Sequence, residues 1–171
     1  MQTLKQILER QFAAFITHHL PLKVRPVETS EEALFCDLMQ AHHYLGSLPK
    51  NGNTLWYFAS VDTQRVALLS FSAAALKCSA GDQWIGSSYR HQYDRLNLVT
   101  NNSRFLILRG FHIKNRASQI LSLYRRRIQQ DWIERFSYPL LVLETFVDPE
   151  RYHGTIYRAS NWILLGSTPR L

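Results

Sequence analysis

The sequence contains few cysteines and no long apolar run. One long stretch of it also contains no acidic residue. Its two cysteines, Cys36 and Cys78, stand alone without a CxxC pair, which predicts a reducing, cytoplasmic compartment rather than a disulfide scaffold. No apolar run approaches the roughly 20 residues that cross a bilayer. Residues 1–20 carry charged and polar side chains throughout, which is wrong for a secretory signal. We therefore expect no membrane partner.

The composition favours one folded domain. Hydrophobic residues make up 46% of the 171 positions and aromatic residues 12%, which is typical of a chain that buries a core. Apolar residues in 1–20 recur at helical spacing. We expect an amphipathic helix there, packed on a single domain that spans residues 21–171.

The order of elements predicts an α+β fold built on a mixed sheet. A capping-box signature at Thr29 and Glu32 precedes a first helix. A second helix is predicted after Asn115, with an apolar stripe that continues to Ile128, and a third from about 152 to 159. Strand patterns at 54–60 and 65–72 predict a hairpin. Two more strands are predicted at 96–100 and 104–108, joined by a turn at 101–103, and the last two at 140–147 and 162–165. With helices on both faces of the sheet, this order resembles the GNAT (N-acetyltransferase-like) fold.

Basic residues are concentrated in one part of the chain. The stretch from Arg95 to Gln130 contains no Asp or Glu, and its cations are Arg95, Arg104, Arg109, Lys114, Arg116, Arg125, Arg126 and Arg127. With a formal net charge of +7, this stretch predicts a positive surface that attracts phosphates or nucleic acid. Arg158 and Asn161 extend the set, because guanidinium and amide groups bind phosphate or base edges. The alternative is a group of solvated arginines without a particular partner.

Several strings resemble the DruA family, which is named for the Druantia anti-phage system and also occurs fused to, or encoded beside, transposases. The specific strings are Leu143-Glu144-Thr145-Phe146-Val147-Asp148 and, after Gly154-Thr155, Tyr157-Arg158-Ala159-Ser160-Asn161-Trp162. Shorter ones are His43-Tyr44-Leu45-Gly46, Asp82-Gln83-Trp84-Ile85-Gly86, Asn102-Ser103-Arg104-Phe105-Leu106-Ile107-Leu108 and Asn115-Arg116-Ala117-Ser118. The resemblance covers about residues 42 to 168. It implies a bacterial defence or transposon context, with DNA and proteins of the same locus as partners.

Three positions depart from the family pattern. Ser87 follows Gly86 where members tend to have tryptophan, and Arg109 stands where they tend to have proline. The chain stops at Leu171, where members usually continue through a Gly-Arg-rich stretch. We therefore expect either a short member or one that lacks a C-terminal part.

Two kinds of catalysis can be tested on the residues. In the GNAT fold a glycine-rich loop usually cradles the pyrophosphate of acetyl-CoA, but the loop at 113–118 has no glycine after Gly110, so we expect no cofactor. A metal-dependent nuclease needs neighbouring carboxylates. Glu144 and Asp148 lie four residues apart on a predicted strand, or roughly 13 Å, too far to share an ion. We expect no metal site and favour a pairing of Glu144 with Arg104 or Arg158.

Histidine offers a further candidate. His42 and His43 are adjacent on a predicted helix end, where their side chains point about 100° apart, so we expect one ring to be packed and the other exposed. His43 is preferred for a functional role because it lies in the family-like string.

Three hypotheses for function follow. The first is DNA binding through the basic face. The second is a catalytic domain of unknown reaction, with His43, Glu144 and Asp148 as candidate catalytic residues. The third is a protein-interaction module that uses the N-terminal helix.

Overall fold

The computed structural model describes residues 21–74, 78–86 and 96–167. The predicted helix at 1–20, Ser87 and Arg95 lie outside the described residues. The helices that it describes are α1 (Glu32–His42), α2 (Ser79–Ile85), α3 (Arg116–Arg125), α4 (Ile128–Phe136) and α5 (Thr155–Arg158). The strands are β1 (Leu22–Pro26), β2 (Thr54–Val61), β3 (Gln64–Ala73), β4 (Val99–Ile107) and β5 (Val142–Glu144). No helix among these residues is long and apolar enough to cross a membrane.

The five strands form one sheet in chain order, β1-β2-β3-β4-β5. Neighbours run antiparallel from β1 to β4, whereas β5 lies parallel to β4, so the predicted mixed sheet is confirmed. The predicted hairpin of β2 and β3 is also confirmed. The parallel pairing of β4 with β5 ends at Asn101 and Glu144, which places the start of the next loop beside the middle of β4.

Both faces of the central strands are covered, because successive side chains point to opposite sides of a sheet. On one face, Phe71 of β3 stacks on Tyr124 of α3 with ring centroids 3.7 Å apart, and Trp132 of α4 is fully buried beside them. On the other face, Phe35 of α1 stacks on Trp56 of β2 at 4.7 Å. The sheet therefore separates two apolar cores, with helices on both sides as predicted.

The capping box before α1 lies at different residues from those predicted. Glu28 and Glu31 form it, and the Glu31 carboxylate accepts the backbone N–H of Glu28 at 3.3 Å. The same carboxylate binds the guanidinium groups of Arg25 and Arg65, each at 2.6 Å. These hydrogen bonds, that of Arg25 first, lower the pKa of Glu31 to about 2. The ion pairs with Arg25 on β1 and Arg65 on β3 therefore hold Glu31, rather than Glu32, in the capping box.

The two strands predicted at 96–100 and 104–108 are one strand, β4, and the predicted turn between them is wrong. Asn102 is buried, and its Nδ2 donates to the carbonyl oxygens of Ser70 at 3.1 Å and Arg104 at 3.0 Å. Asparagine favours turns because its side chain bonds to nearby backbone. Here the neighbouring strand supplies an acceptor instead, so the extended conformation is stable.

The predicted helix from Asn115 through Ile128 is two helices, α3 and α4, which meet at Arg126 and Arg127. At this junction the Nη1 of Arg127 donates to the carbonyl oxygen of Val24 on β1 at 2.5 Å. This bond holds the junction against the sheet. Ile128 then begins α4 as a buried residue.

The C-terminal part also differs from the prediction. Of the strand predicted at 140–147 only β5 forms, and residues 162–167 form no strand. Asn161 adopts a left-handed conformation with φ 62°, and the N–H of Trp162 donates to the carbonyl oxygen of Tyr157 at 3.1 Å. The chain therefore turns back on α5 where a strand was expected.

Candidate nucleic-acid interface

Arg104 fixes the loop after α1 onto β4. Its Nε donates to the carbonyl oxygen of Gly46 at 3.3 Å, and its Nη1 donates to that of Ser103 at 2.7 Å. Burial lowers the pKa of Arg104 from its ordinary value. Across the ranges that the structure describes, Arg104 forms no ion pair with a carboxylate. Its two carbonyl partners leave the positive charge uncompensated, which suits an anionic ligand.

His43 lies at the C-terminal end of α1 beside this guanidinium. Burial, and then the charge of Arg104, lower the pKa of His43 to about 4, so the imidazole is neutral near pH 7. Its Nδ1 accepts the N–H of Leu45 at 3.2 Å, which places the proton of the neutral ring on Nε2. His42 is exposed and His43 is half-buried, in agreement with the prediction for the two rings. The structure brings His43 and Arg104 together.

Aromatic side chains continue outward from His43. Its ring stacks on Tyr44 with centroids 4.8 Å apart, and Tyr44 contacts Tyr152 at 5.7 Å. The guanidinium of Arg151 lies 4.9 Å from the centre of the Tyr44 ring, within the range of a cation–π contact. Tyr152 comes from the loop between β5 and α5, so two distant segments of the chain form this surface. Sequence reasoning missed Tyr152, which lies outside the family-like strings.

Asp148 belongs to the loop that carries Arg151 and Tyr152. Its carboxylate accepts the N–H of Glu150 at 3.0 Å and pairs with Arg151 at 3.4 Å, and its carbonyl oxygen accepts the N–H of Tyr152. These bonds shape the loop and position Arg151 and Tyr152. They do not bring Asp148 together with Glu144.

Glu144 is half-buried at the end of β5. Burial raises the pKa of Glu144, the nearby Asp82 raises it further, and a hydrogen bond from Asn101 lowers it. Within the described part of the chain, Glu144 pairs with neither Arg104 nor Arg158, so the expected ion pair is wrong. The same residues contain no group of three or more His, Cys, Asp or Glu side chains that could hold a metal ion.

The cations of the acid-free stretch divide into two groups. Arg116 is buried, and Arg127 binds Asp131 through two hydrogen bonds of 2.6 and 2.9 Å, so neither is presented to a ligand as the sequence suggested. Five candidates are exposed and form no ion pair with another described residue; we call them the exposed cations: Arg109, Lys114, Arg125, Arg126 and Arg158. Asn161 is exposed beside them.

Four of the five exposed cations flank α3 in the chain. Arg109 and Lys114 precede the helix, and Arg125 and Arg126 end it, about 15 Å further along for a helix of this length. A shallow groove on its outer side is lined by polar groups and a few apolar ones: Leu22, Ser118, Gln119, Ser122, Leu123, Arg126 and Ala159. Of the exposed cations, Arg126 lines this groove, and Ala159, another lining residue, follows Arg158 in the chain.

A family model described as Druantia protein DruA matches residues 4–169. No curated protein matches the sequence.

Solved structures share the fold at low sequence identity. The aminoglycoside 6'-N-acetyltransferase AAC(6')-Ih from Acinetobacter baumannii has a TM-score of 0.58 and 12% identity, over 88% of this chain and 97% of that chain. AAC(6')-Iy, in complex with a bisubstrate analogue, has a TM-score of 0.60 and 11% identity, over 88% and 97%. A transcriptional regulator from Bacillus halodurans C-125 has a TM-score of 0.57 and 9% identity, over 88% and 99%. These similarities confirm a GNAT-like α+β fold.

Proposed function

The chain belongs to the DruA family, and from this premise we propose that it serves anti-phage defence by binding DNA through the exposed cations around α3. One observation carries the proposal. Arg109, Lys114, Arg125, Arg126 and Arg158 are all solvent-exposed, and none forms an ion pair with another described residue.

Uncompensated surface cations favour polyanions for a physical reason. Each cation that neutralises a phosphate releases condensed counterions from the nucleic acid, which supplies most of the free energy of non-specific binding. Ser118, Gln119 and Ser122 add hydroxyl and amide groups between the two ends of α3, and such groups hydrogen-bond phosphate oxygens. This surface contacts backbone phosphates, so we expect little preference for sequence.

The salt dependence of DNA binding tests the proposal. We expect the affinity for a labelled 30-base-pair duplex, measured by fluorescence anisotropy, to fall steeply as the salt concentration rises. The double variant Arg125→Ala, Arg126→Ala should flatten the slope of log K against log salt by about 1.8, because each lost phosphate contact removes about 0.9. A variant with the same exposed chemistry, Arg135→Ala on α4, is the control and should keep the slope. An unchanged slope in the double variant would contradict the proposal.

A second candidate is an acyltransferase-derived reaction, and the fold shared with aminoglycoside acetyltransferases favours it. A fold by itself does not carry an activity. The loop before α3 argues against a pyrophosphate cradle, because Gly110 is its one glycine and the N–H of Arg116 already donates to Ile113 at 3.0 Å. Calorimetric titration with acetyl-CoA tests this candidate. Saturable binding that is weakened by Lys114→Ala would support it, and the absence of heat at two well-separated temperatures would contradict it.

A further inference from the structure

The surface around Tyr44 and Tyr152 is separate from α3 in the chain and has different chemistry. We call these two residues the tyrosine pair; their side chains are 43% and 52% exposed. A single exposed aromatic ring is common on protein surfaces and does not by itself indicate a binding site. Here the rings touch at 5.7 Å although they come from different segments. We propose that Tyr152, the more exposed ring of the tyrosine pair, stacks the unpaired base of a nucleotide, so that the protein prefers single-stranded nucleic acid to duplex. This inference rests on the proposed nucleic-acid binding and identifies the form that is bound.

The rings are held in place before any ligand arrives. Tyr44 stacks on His43 at 4.8 Å, and the loop that carries both is fixed to β4 by the hydrogen bond from Arg104 to Gly46. The backbone of Tyr152 is fixed by the hydrogen bond from its N–H to the carbonyl oxygen of Asp148, at 2.9 Å, and its ring contacts that of Tyr44. Stacking on such a surface requires little ordering of side chains, which favours binding.

Two cations lie near the tyrosine pair. Arg151 lies over the Tyr44 ring at 4.9 Å, and Arg104 donates to the carbonyl oxygen of Gly46, two residues after Tyr44. Arg104 has no carboxylate partner among the described residues. Exposed rings with neighbouring cations are the combination that binds single-stranded nucleic acid without regard to sequence, because every base has a flat face.

Duplex nucleic acid cannot use the tyrosine pair in the same way, because its bases are already stacked and paired inside the helix. The proposal therefore predicts a difference between strands rather than a general affinity. A free nucleotide offers the same base and phosphate as a strand, so the two sources must be separated by experiment.

The test compares a labelled 15-nucleotide single strand with its duplex, for the wild type and for Tyr152→Leu and Tyr152→Phe. Loss of a stacked base corresponds to a decrease in affinity between roughly 5-fold and 150-fold. We expect Tyr152→Leu to bind the single strand this much more weakly, with its affinity for duplex unchanged. Tyr152→Phe keeps a ring and should retain the affinity. Because Tyr152 is half-exposed, both variants should fold, and circular dichroism checks this.

Two further readouts make the outcomes decisive. Fluorescence of 2-aminopurine in the strand should be altered on binding to the wild type and unaltered with Tyr152→Leu. A calorimetric titration with adenosine monophosphate distinguishes a nucleic-acid strand from a free nucleotide as the ligand. A dissociation constant in the millimolar range, or no binding, supports a strand, and one in the micromolar range supports a free nucleotide. Equal affinity of wild type and Tyr152→Leu for the single strand would overturn the inference and leave phosphate binding by the exposed cations intact. If no nucleic acid binds at any salt concentration, both proposals are wrong.

Discussion

The hydroxyl of Tyr157 donates a 2.7 Å hydrogen bond to Oδ1 of Asn102, and this bond joins the C-terminal helix α5 to a buried residue of β4. The amide nitrogen of Asn102 donates to Ser70 and Arg104 on the sheet. A single side chain thus connects β3, β4 and α5. Arg104, whose carbonyl oxygen takes part in this network, also fixes the loop that carries His43 and Tyr44.

The first prediction concerns this network. Tyr157→Phe leaves Oδ1 of Asn102 without its donor and should lower the free energy of unfolding by about 1 to 2 kcal/mol. Asn102→Ala removes the partner of Tyr157 and of two carbonyl groups, so its effect should be larger, about 2 to 4 kcal/mol. Urea denaturation measures both. Tyr152→Phe, at an exposed ring, is the control and should change stability by less than about 0.5 kcal/mol. A smaller loss for Asn102→Ala than for Tyr157→Phe would contradict the assignment of Asn102 as the centre of the network.

The second prediction concerns the pH dependence that His43 imposes. The pKa of His43 is about 4 in the folded protein against an ordinary value of 6.5, so the unfolded chain takes up a proton first as the pH falls. The contribution of the neutral His43 ring to the free energy of unfolding is therefore fully present above about pH 6.5 and is lost as the pH falls from about 6.5 to about 4. We expect His43→Gln to flatten the decline in unfolding free energy between pH 7.5 and pH 5. His153→Gln, at an exposed histidine, should decline as steeply as the wild type; if both variants behave alike, His43 is not the group responsible.

The third prediction concerns Glu31, whose lowered pKa favours the charged form of the side chain, whereas the lowered pKa of His43 favours the neutral form. Arg25 and Arg65 hold the pKa of Glu31 at about 2, below its ordinary 4.5, so the charged form stabilises the fold above about pH 4.5. This stability is lost as the pH falls from about 4.5 to about 2. Glu31→Gln should be less stable than the wild type at pH 7, with the difference closing as the solution is acidified. Thermal denaturation from pH 7 to pH 2.5 measures it, and a difference that is constant with pH would show that the ion pairs contribute nothing.

Local patterns predicted the parts of the fold that depend on local residues. The hairpin of β2 and β3 follows from two apolar runs and a short polar connection, and α3 begins directly after Asn115 as expected. The predicted turn at Asn102 is wrong because the hydrogen-bond partners of the Asn102 side chain include Ser70 and Tyr157, which are distant in the chain. Sequence spacing carries no information about such partners.

The candidate site was predicted in part for the same reason. The family-like string indicates His43 and the acid-free stretch indicates Arg104, and the structure brings the two together. Tyr152 gives no signal in the sequence, because its contact with Tyr44 depends on the tertiary fold. The acid-free stretch predicts a ligand-binding surface made by its cations; this stays a prediction, although several of those cations are exposed. It could not show that Asp131, which lies just beyond the stretch, neutralises one of them.

The last prediction separates the three consecutive arginines at the junction of α3 and α4. Arg125 and Arg126 are exposed, whereas Arg127 binds Asp131 and the carbonyl oxygen of Val24. Asp131 is buried and also accepts the hydroxyl of Tyr57 at 2.9 Å, so removing its cation leaves a buried charge with one neutral donor. Arg127→Ala should therefore destabilise the fold by about 2 to 3 kcal/mol, less than the ~3–5 kcal/mol of a fully buried pair because part of the Arg127 side chain remains in water.

The same variant should leave the salt dependence of DNA binding unchanged, since the proposed phosphate contacts do not include Arg127. The Arg125→Ala, Arg126→Ala double variant should behave in the opposite way, with a stability within about 0.5 kcal/mol of the wild type and a flatter salt slope. Chemical denaturation and anisotropy titrations on the same preparations measure both quantities. If Arg127→Ala flattens the slope while its stability stays unchanged, then the ion pair with Asp131 opens in solution and Arg127 belongs with the exposed cations.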